Sequence, residues 1–429
     1  MPGNFNATSA SRGTPMSSHR PDDRKLVLIM VGLPARGKSY TARKLAWYLK
    51  WQGYNAQLFN VGEYRRAKHG PHQNHAFFDP NNADGMSARR ALALEALQDM
   101  TSWLDSGGEV GIYDATNSTR ERRAMILERC ERSDFQVLFI ELRCDDRDVI
   151  DANIRATKLM SPDYVDVDPN DAADDFRARI AHYEGTYQPL GEDEGSFISV
   201  VDAGRMVTIN EVDGYIASRL VFFLMNLHLT PRPIWLTRHG ESEFNRKKLL
   251  GGDASLSAAG QRYAESLASR VNANFDRDQG ITILTSSLQR TIQTAAPIGR
   301  RSTAWRALNE IDAGICEAMS YEEIERTMPT DFAARTQDKF RYRYPQGESY
   351  QDVIKRLQPV IIEIERAREP VIVVGHQAIL RALYAYLVCI PSEQCPHLDI
   401  PLHTLIELTP HAYGCDEKRI QLKPGSDDP

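Results

Sequence analysis

The sequence predicts two α/β domains in one chain, each built around a largely parallel sheet. Three observations predict this fold class. Short apolar strands alternate with helical segments in the first half, which is typical of a parallel sheet covered on both faces. The dipeptides Thr230-Pro231 and Arg232-Pro233 interrupt that pattern. A new series of strands begins at Ile234, so a second domain is expected to follow.

The first domain is predicted over residues 25–230. Its strands are the apolar runs 25–31, 56–61, 109–114 and 135–142, and helical spacing predicts helices over 40–49, 87–104 and 211–229. The second domain is predicted over 231–422, with strands at 234–237, 281–286 and 370–375. Residues 1–24, which lack periodicity, are predicted to be a disordered tail, and 423–429 a short polar tail.

The composition of the chain argues against some classes of binding partner and cellular location. The chain has 429 residues and a net charge of −6, so binding of nucleic acid through the overall charge of the protein is not expected. Any anionic ligand must instead be bound by local clusters of basic residues. No apolar run approaches the roughly 20 residues of a membrane span. Six cysteines without a CxxC pair indicate free thiols in a reducing compartment. Because the first residues carry no apolar signal core, we expect a cytoplasmic protein.

The string Gly32-Leu-Pro-Ala-Arg-Gly-Lys-Ser39 matches the pattern GxxxxGK[ST] between a predicted strand and a predicted helix. Gly32 and Gly37 would let the backbone curl so that its N–H groups face phosphate oxygens. Lys38 would neutralise the β- and γ-phosphates, and the Ser39 hydroxyl would ligate Mg²⁺. The sequence therefore predicts a nucleoside triphosphate site.

Two features extend that site. Asp114 ends a predicted strand, where its carboxylate would hold Mg²⁺ or its waters; the alternative is a helix N-cap before Arg120. The pairs Arg65-Arg66 and Arg89-Arg90 would hold the phosphate of an acceptor, and the alternative is a solvated charged face.

A second site is predicted in the other half. His239 and Arg238 end the strand that begins at Ile234, where open α/β sheets bind ligands. A neutral imidazole can attack phosphorus and form a phosphohistidine, although a single histidine is more often structural. Arg290 and His376 follow two other strands, so they would converge with His239 on one tetrahedral anion.

Acidic and basic side chains complete this second site. Glu310 is a candidate general acid, kept protonated by a neighbouring anion, and a surface carboxylate is the alternative. A basic cluster precedes Tyr344, and its members Arg335 and Lys339 would share a helix face. This cluster suggests a second substrate phosphate; it comprises Arg335, Lys339, Arg341 and Arg343.

Several strings together resemble the bifunctional 6-phosphofructo-2-kinase/fructose-2,6-bisphosphatase family over about residues 25–422. They are Met30-Val-Gly-Leu-Pro-Ala-Arg-Gly-Lys38, Asp114-Ala-Thr-Asn117, Lys158-Leu-Met-Ser-Pro-Asp-Tyr164, Arg238-His-Gly-Glu-Ser242, Asn309-Glu-Ile-Asp-Ala-Gly314 and Arg341-Tyr-Arg-Tyr-Pro345. The resemblance implies a P-loop NTPase-like domain followed by a histidine phosphatase domain similar to phosphoglycerate mutase. It also implies synthesis of fructose 2,6-bisphosphate from fructose 6-phosphate and ATP, and its hydrolysis, which together control glycolysis against gluconeogenesis.

The resemblance also assigns roles in the first domain. ATP would be bound by Gly32, Ala35, Arg36, Gly37, Lys38, Ser39 and Tyr40. Lys38 and Asp114 match catalytic positions, Ser39 and Asp114 the Mg²⁺ ligands, and Cys144, Lys158 and Arg179 nucleotide-side positions at which Lys158 would stabilise the transferring charge. The positions that match fructose 6-phosphate contacts are Arg65, Arg66, Arg89, Thr116 and Tyr183.

In the second domain the resemblance makes His239 the nucleophile and Glu310 the acid and then the base. The phosphate clamp would comprise Arg238, Arg290 and His376, assisted by Asn245. The positions that match other fructose 2,6-bisphosphate contacts are Gly251, Tyr321, Arg335, Lys339, Arg343, Tyr350, Gln377 and Arg381.

Two alternatives remain open at this point. One is an enzyme with mainly the bisphosphatase activity and a nucleotide-binding domain retained for control. The other is a nucleotide-responsive scaffold without useful catalysis. Homodimers are usual in the family that the chain resembles, so a homodimer is expected.

Overall fold

The computed structural model describes residues 24–422 except 72, 161, 165–166, 229–231 and 412–413. These residues form two six-stranded sheets. The predicted tails, apart from Arg24, and the predicted boundary at 230/231 lie outside the described residues. None of the described helices is both long enough and apolar enough to cross a membrane.

The first sheet has the strand order β2-β3-β1-β4-β5-β6, in which β6 is antiparallel to β5 and the other pairs are parallel. Every residue of the central strand β1 is buried, as its apolar sequence predicts. The four predicted strands are confirmed within one residue at each end, whereas β5 and β6 were not predicted. The strands are β1 (Leu26–Val31), β2 (Ala56–Asn60), β3 (Val110–Asp114), β4 (Gln136–Arg143), β5 (Phe197–Val201) and β6 (Met206–Asn210).

Seven helices accompany this sheet in the described residues. All three predicted helices have different starts. Helix α1 begins two residues earlier, α3 begins four residues earlier, after the N-cap Asn82, and α7 begins four residues later, after the N-cap Gly214. The helices are α1 (Lys38–Trp51), α2 (Val61–His69), α3 (Ala83–Asp105), α4 (Arg120–Glu131), α5 (Arg147–Met160), α6 (Pro169–Glu184) and α7 (Tyr215–Asn226).

The second sheet has the order β12-β11-β7-β10-β8-β9. Strands β7 to β10 pair in parallel, and the hairpin β11–β12 adds two antiparallel strands at one edge. The three predicted strands are confirmed as β7, β8 and β10, and the others were not predicted. The strands are β7 (Ile234–Arg238), β8 (Thr282–Thr285), β9 (Ser302–Ala304), β10 (Val371–Gly375), β11 (Thr404–His411) and β12 (Gly414–Gln421).

The helices of the second half correct one prediction. Helix α12 ends at Gln337, so Arg335 is helical but Lys339 lies beyond the helix, and the predicted shared helix face is wrong. The helices are α8 (Glu243–Arg246), α9 (Ala258–Asn274), α10 (Gln289–Ala295), α11 (Tyr321–Thr327), α12 (Pro329–Gln337), α13 (Tyr350–Arg356), α14 (Gln358–Arg366) and α15 (Gln377–Leu387).

The two halves share a buried interface. Helix α1 packs against α15, where Trp47 Nε1 donates to the Tyr386 carbonyl at 2.8 Å. Beside it, Lys44 Nζ lies 2.8 Å from Glu365 Oε1, and the Tyr386 hydroxyl donates to the same carboxylate. Burial disfavours the Lys44 ammonium, but Glu365 outweighs that effect and raises the pKa of Lys44. An ion pair therefore joins the two halves inside the protein.

We expect Lys44→Met to lower the stability by about 3–5 kcal/mol, because it leaves the buried Glu365 carboxylate without its cation. Scanning calorimetry would show a lower Tm for the variant, and Lys50→Met, at an exposed position of the same helix, would serve as the control. Adding Glu365→Gln to Lys44→Met should recover part of the loss. A double variant no more stable than Lys44→Met would contradict this account.

Candidate active sites

A cavity of about 1120 Å³ lies at the end of the first sheet, beside the loop between β1 and α1. Side chains from several strand ends and helices line it, as expected for an open α/β sheet. The predicted residues that line the cavity are Ala35, Gly37, Lys38, Ser39, Tyr40, Arg65, Arg66, Arg89, Asp114, Thr116, Arg179 and Tyr183.

The glycines of the loop have different roles. Gly37 has φ +82° and directly precedes α1, so the loop turns into the helix through a conformation that favours glycine. Gly32 does not present its amide to the cavity, because its N–H donates to the Thr116 carbonyl at 3.0 Å. A Cβ at Gly32 would lie 2.4 Å from the Leu142 carbonyl oxygen. The Gly32 amide itself is therefore not available to a phosphate, and glycine is required there by close packing.

Lys38 is buried, and its Nζ donates to the Leu33 carbonyl at 2.6 Å. Burial lowers the pKa of Lys38 to about 8, although the nearby Asp114 carboxylate opposes that shift. In the free protein, Asp114 therefore compensates only part of the cost of burying the Lys38 ammonium. An anionic phosphate would complete its environment.

Asp114 lies at the end of β3 and is 3 % exposed. Its carboxylate accepts hydrogen bonds from Ser39 and from Asn60, at the end of β2. Burial raises the pKa of Asp114, and those hydrogen bonds and Lys38 oppose the rise. The N-cap of α4 is Thr119 rather than Asp114. A hydroxyl and a carboxylate side by side are the oxygen ligands that fit Mg²⁺.

A cluster of arginines forms another wall of the same cavity. Arg65 is 4 % exposed and is ion-paired with Asp163, so the alternative of a solvated charged face is wrong for Arg65. The same carboxylate lies 3.7 Å from Arg66 and 3.8 Å from Arg179. The guanidinium carbon of Arg179 lies 3.6 Å from the centroid of the Phe78 ring. One carboxylate therefore faces three cations, which leaves the wall positive.

Besides Gly32, two residues predicted to lie at the nucleotide do not line the cavity, Arg36 and Cys144. Arg36 is ion-paired with Glu184 at 3.4 Å. Cys144 lies with Arg36 in a small neighbouring cavity, and burial raises the pKa of its thiol, which argues against a reactive thiolate. Lys158 belongs to α5, but its side chain lies outside the described part of the structure.

The second site is a cavity of about 130 Å³ at the end of the second sheet, and His239 lies on its wall just after β7. His239 Nδ1 lies 2.7 Å from the Gly240 carbonyl, which can only accept, so Nδ1 carries the proton. Arg290 Nε donates to His239 Nε2 at 3.1 Å, so Nε2 carries the lone pair. Burial, followed by Arg290, lowers the pKa of His239 well below its usual value. The imidazole is neutral, and its Nε2 lone pair accepts a hydrogen bond from a cation that attracts phosphate.

Two other basic side chains adjoin His239. The His376 ring centroid lies 5.1 Å from that of His239, and its Nε2 lies 2.8 Å from the Ser286 hydroxyl. His376 is fully buried, and its Nδ1 has no hydrogen-bond partner. Arg238 lines the cavity, and burial lowers its pKa to about 10. The structure thus brings His239, Arg238, Arg290 and His376 together.

Glu310 also lines this cavity, so its surface alternative is wrong. Its Oε1 accepts from the Ile311 and Ala378 amides at 2.9 and 3.2 Å. The other predicted residues that line the cavity are Asn245, Gly251, Tyr321, Arg335, Lys339, Tyr350, Gln377 and Arg381.

His376 does not itself line the cavity. Among the predicted sugar and 6-phosphate contacts, Arg343 is the exception. Its guanidinium lies 2.6 Å from Asp352 at the start of α13 and does not line the cavity. Arg335 instead donates to Tyr344 at 2.8 Å and to Tyr321 at 2.9 Å, and burial lowers the pKa of Lys339 to about 8. The predicted sugar and 6-phosphate contacts that line the cavity therefore include three cations, Arg335, Lys339 and Arg381.

Sequence reasoning missed four residues that shape the two sites: Asn60, Asp163, Ser286 and Tyr344. Asn60 and Ser286 stand at or just after strand ends, a position that could have identified them. Asp163 carried no such signal, because only folding brings it to Arg65.

Comparisons with known proteins match two parts of the chain to two families. Residues 14–231 match the family described as 6-phosphofructo-2-kinase, and 234–423 match the histidine phosphatase superfamily, branch 1. The chain is 47 % identical over 98 % of its length to a 6-phosphofructo-2-kinase/fructose-2,6-bisphosphatase of Arabidopsis thaliana, of which it spans 57 %. It is 48 % identical, over 92 % of its length, to the 6-phosphofructo-2-kinase/fructose-2,6-bisphosphatase of Gallus gallus, of which it spans 84 %. It is equally similar to 6-phosphofructo-2-kinase/fructose-2,6-bisphosphatase 3 of Rattus norvegicus, with 48 % identity over 92 % of its length, and spans 72 % of that protein.

Proposed function

The chain belongs to the 6-phosphofructo-2-kinase/fructose-2,6-bisphosphatase family and has both catalytic domains, and from this premise we propose that it carries out both reactions. One site forms fructose 2,6-bisphosphate from fructose 6-phosphate and ATP, and the other hydrolyses it to fructose 6-phosphate and phosphate. The observation that carries the proposal is the neutral His239 facing Arg290 in the same chain as the Lys38–Asp114 site. The free thiols of the six cysteines favour a cytoplasmic location.

In the kinase reaction, Lys38 would hold the β- and γ-phosphates of ATP. Ser39 and Asp114 would hold Mg²⁺, which when bound neutralises charge on the phosphates. Arg65 and Arg179 of the arginine wall, together with Arg89 on the same cavity, would hold the 6-phosphate of the sugar. The 2-hydroxyl oxygen then attacks the γ-phosphorus and loses its proton to water, the bond from phosphorus to the β-phosphate oxygen breaks, and ADP leaves.

In the bisphosphatase reaction, the 2-phosphate of the sugar would displace the Arg290–His239 hydrogen bond. His239 Nε2 attacks phosphorus, and the bond from phosphorus to the C2 oxygen breaks. Glu310 would give that oxygen a proton and would then take one from water, which attacks the phosphohistidine and releases phosphate. Arg335 and Lys339 would hold the 6-phosphate.

A side-by-side assay of the purified chain tests the proposal. Formation of fructose 2,6-bisphosphate from ATP and fructose 6-phosphate, together with phosphate release from fructose 2,6-bisphosphate, is the expected result. Hydrolysis without synthesis would show instead that the nucleotide domain serves control only.

We also propose a homodimer formed through β6. This strand is the edge of the first sheet, and its Met206 and Ile209 side chains are 55 % and 48 % exposed. On α7, Phe222 and Met225 are also more than half exposed. An unpaired edge beside exposed apolar side chains favours pairing with a second chain.

Ile209→Lys combined with Phe222→Glu should convert the dimer to a monomer, because both place charge on the apolar surface. Light scattering after size exclusion would show the mass of one chain instead of two. Ile292→Lys, at an exposed apolar position on α10 of the other half, should leave the dimer intact. A double variant that keeps the dimer mass would exclude this surface.

A further inference from the structure

One carboxylate outside the groups used above joins two loops that border the His239 cavity. Glu317 follows the 3-10 helix Gly314–Cys316 and is half-buried. Its Oε1 accepts a hydrogen bond from the Ala313 amide at 2.9 Å, and its Oε2 accepts one from the Gly252 amide. Because each oxygen is bound to a different backbone N–H group, the orientation of the carboxylate is fixed.

Backbone pairing places Glu317 beside a turn made of two glycines. Leu250 exchanges two backbone hydrogen bonds, both 2.9 Å long, with residues 318–319. The next two residues, Gly251 and Gly252, both have φ +61°, a left-handed conformation that favours glycine. A Cβ at Gly251 would overlap the Glu317 carboxylate. The missing side chain therefore lets the carboxylate reach the turn.

The same turn holds the arginine that faces the nucleophile. Arg290 is 4 % exposed, and its Nη1 donates to the Gly252 carbonyl at 2.6 Å. Its Nε donates to His239 Nε2 at 3.1 Å. The turn therefore fixes one nitrogen of the guanidinium while another is directed at His239.

We propose that Glu317 is a positioning residue for the bisphosphatase reaction, which it serves by holding the Gly252 turn against Arg290. This inference rests on the proposed function, in which the 2-phosphate meets Arg290 and His239. Without the carboxylate the turn loses the hydrogen bond that fixes its Gly252 amide, and the guanidinium can shift with the turn. A displacement of about 1 Å can lower a rate about 10²-fold, so Glu317 can affect the reaction although it does not line the cavity.

Glu317→Leu in the full chain tests the proposal, because leucine is of similar size but accepts no hydrogen bond. Phosphate release from fructose 2,6-bisphosphate should fall roughly tenfold or more, mainly in kcat, since the proposed contacts to the 6-phosphate are unchanged. Glu317→Gln, which keeps one acceptor, should recover part of the loss. Retained synthesis of fructose 2,6-bisphosphate would show that the variants are folded. Glu325→Leu, at an exposed position of α11, is the matched control and should keep both rates.

The same substitution in an Arg290→Ala background separates positioning from a general loss of structure. If Glu317 acts through Arg290, Glu317→Leu should lower single-turnover phosphate release there by less than about twofold. Unchanged hydrolysis in Glu317→Leu, a change confined to KM, or an equal loss in both backgrounds would overturn the inference. Absence of hydrolysis by the wild-type chain would instead contradict the proposed function itself.

Discussion

Replacing His239 by alanine should lower phosphate release from fructose 2,6-bisphosphate by roughly 10³-fold or more, because no other group can form the covalent intermediate. The structure provides the reason in detail. The Gly240 carbonyl fixes the proton on Nδ1, so that Nε2 is the nucleophile, and Arg290 marks the position of the phosphate. Synthesis of fructose 2,6-bisphosphate should continue, since Lys38 and Asp114 belong to the other cavity.

The measurement is a pair of initial rates, supplemented by trapping of labelled phosphate. Wild-type protein incubated with fructose 2,6-bisphosphate labelled at the 2-phosphate should yield an acid-labile phosphoprotein, and His239→Ala should yield none. His397→Ala, at an exposed histidine of the same half, is the matched control and should behave as wild type. Label that persists in His239→Ala would assign the nucleophile elsewhere.

Lys38→Met should have the opposite effect, a loss of roughly 10³-fold in the formation of fructose 2,6-bisphosphate with hydrolysis retained. Lys38 is the cation of the phosphate loop that would meet developing charge on the transferring phosphoryl group. Because burial lowers its pKa to about 8 in the free protein, ATP binding near pH 8.5 should be accompanied by proton uptake. Titration calorimetry in two buffers with different ionisation enthalpies measures that uptake.

Lys50→Met provides the control for this experiment, since Lys50 is exposed in the last turn of the same helix. It should keep both the kinase rate and the proton uptake. If Lys38→Met still took up protons on binding ATP, another group would be the one that titrates. If it lost hydrolysis as well while remaining folded, the two reactions would not be separate.

The sequence predicted the fold well where the pattern is local. The strands that carry Gly32, Asp114, His239 and His376 at or near their ends are apolar runs bounded by polar or glycine residues, and each lies within a residue of its predicted position. The antiparallel additions β6 and β11–β12 were missed. The exposed residues of β12 are mostly charged or polar, so hydrophobicity alone does not distinguish that strand from a loop.

For the sites, the sequence by itself determined which chemical groups are present and at which strand ends they stand. Strand order and connection then brought them to one edge of each sheet, because parallel strands share their carboxyl ends. Only the tertiary structure decided the rest: Asp163 facing Arg65, Arg343 turned to Asp352, and Gly32 packed against Leu142. These are contacts between side chains or backbone segments far apart in sequence or on irregular loops. Their geometry depends on how whole elements pack, which no short motif encodes.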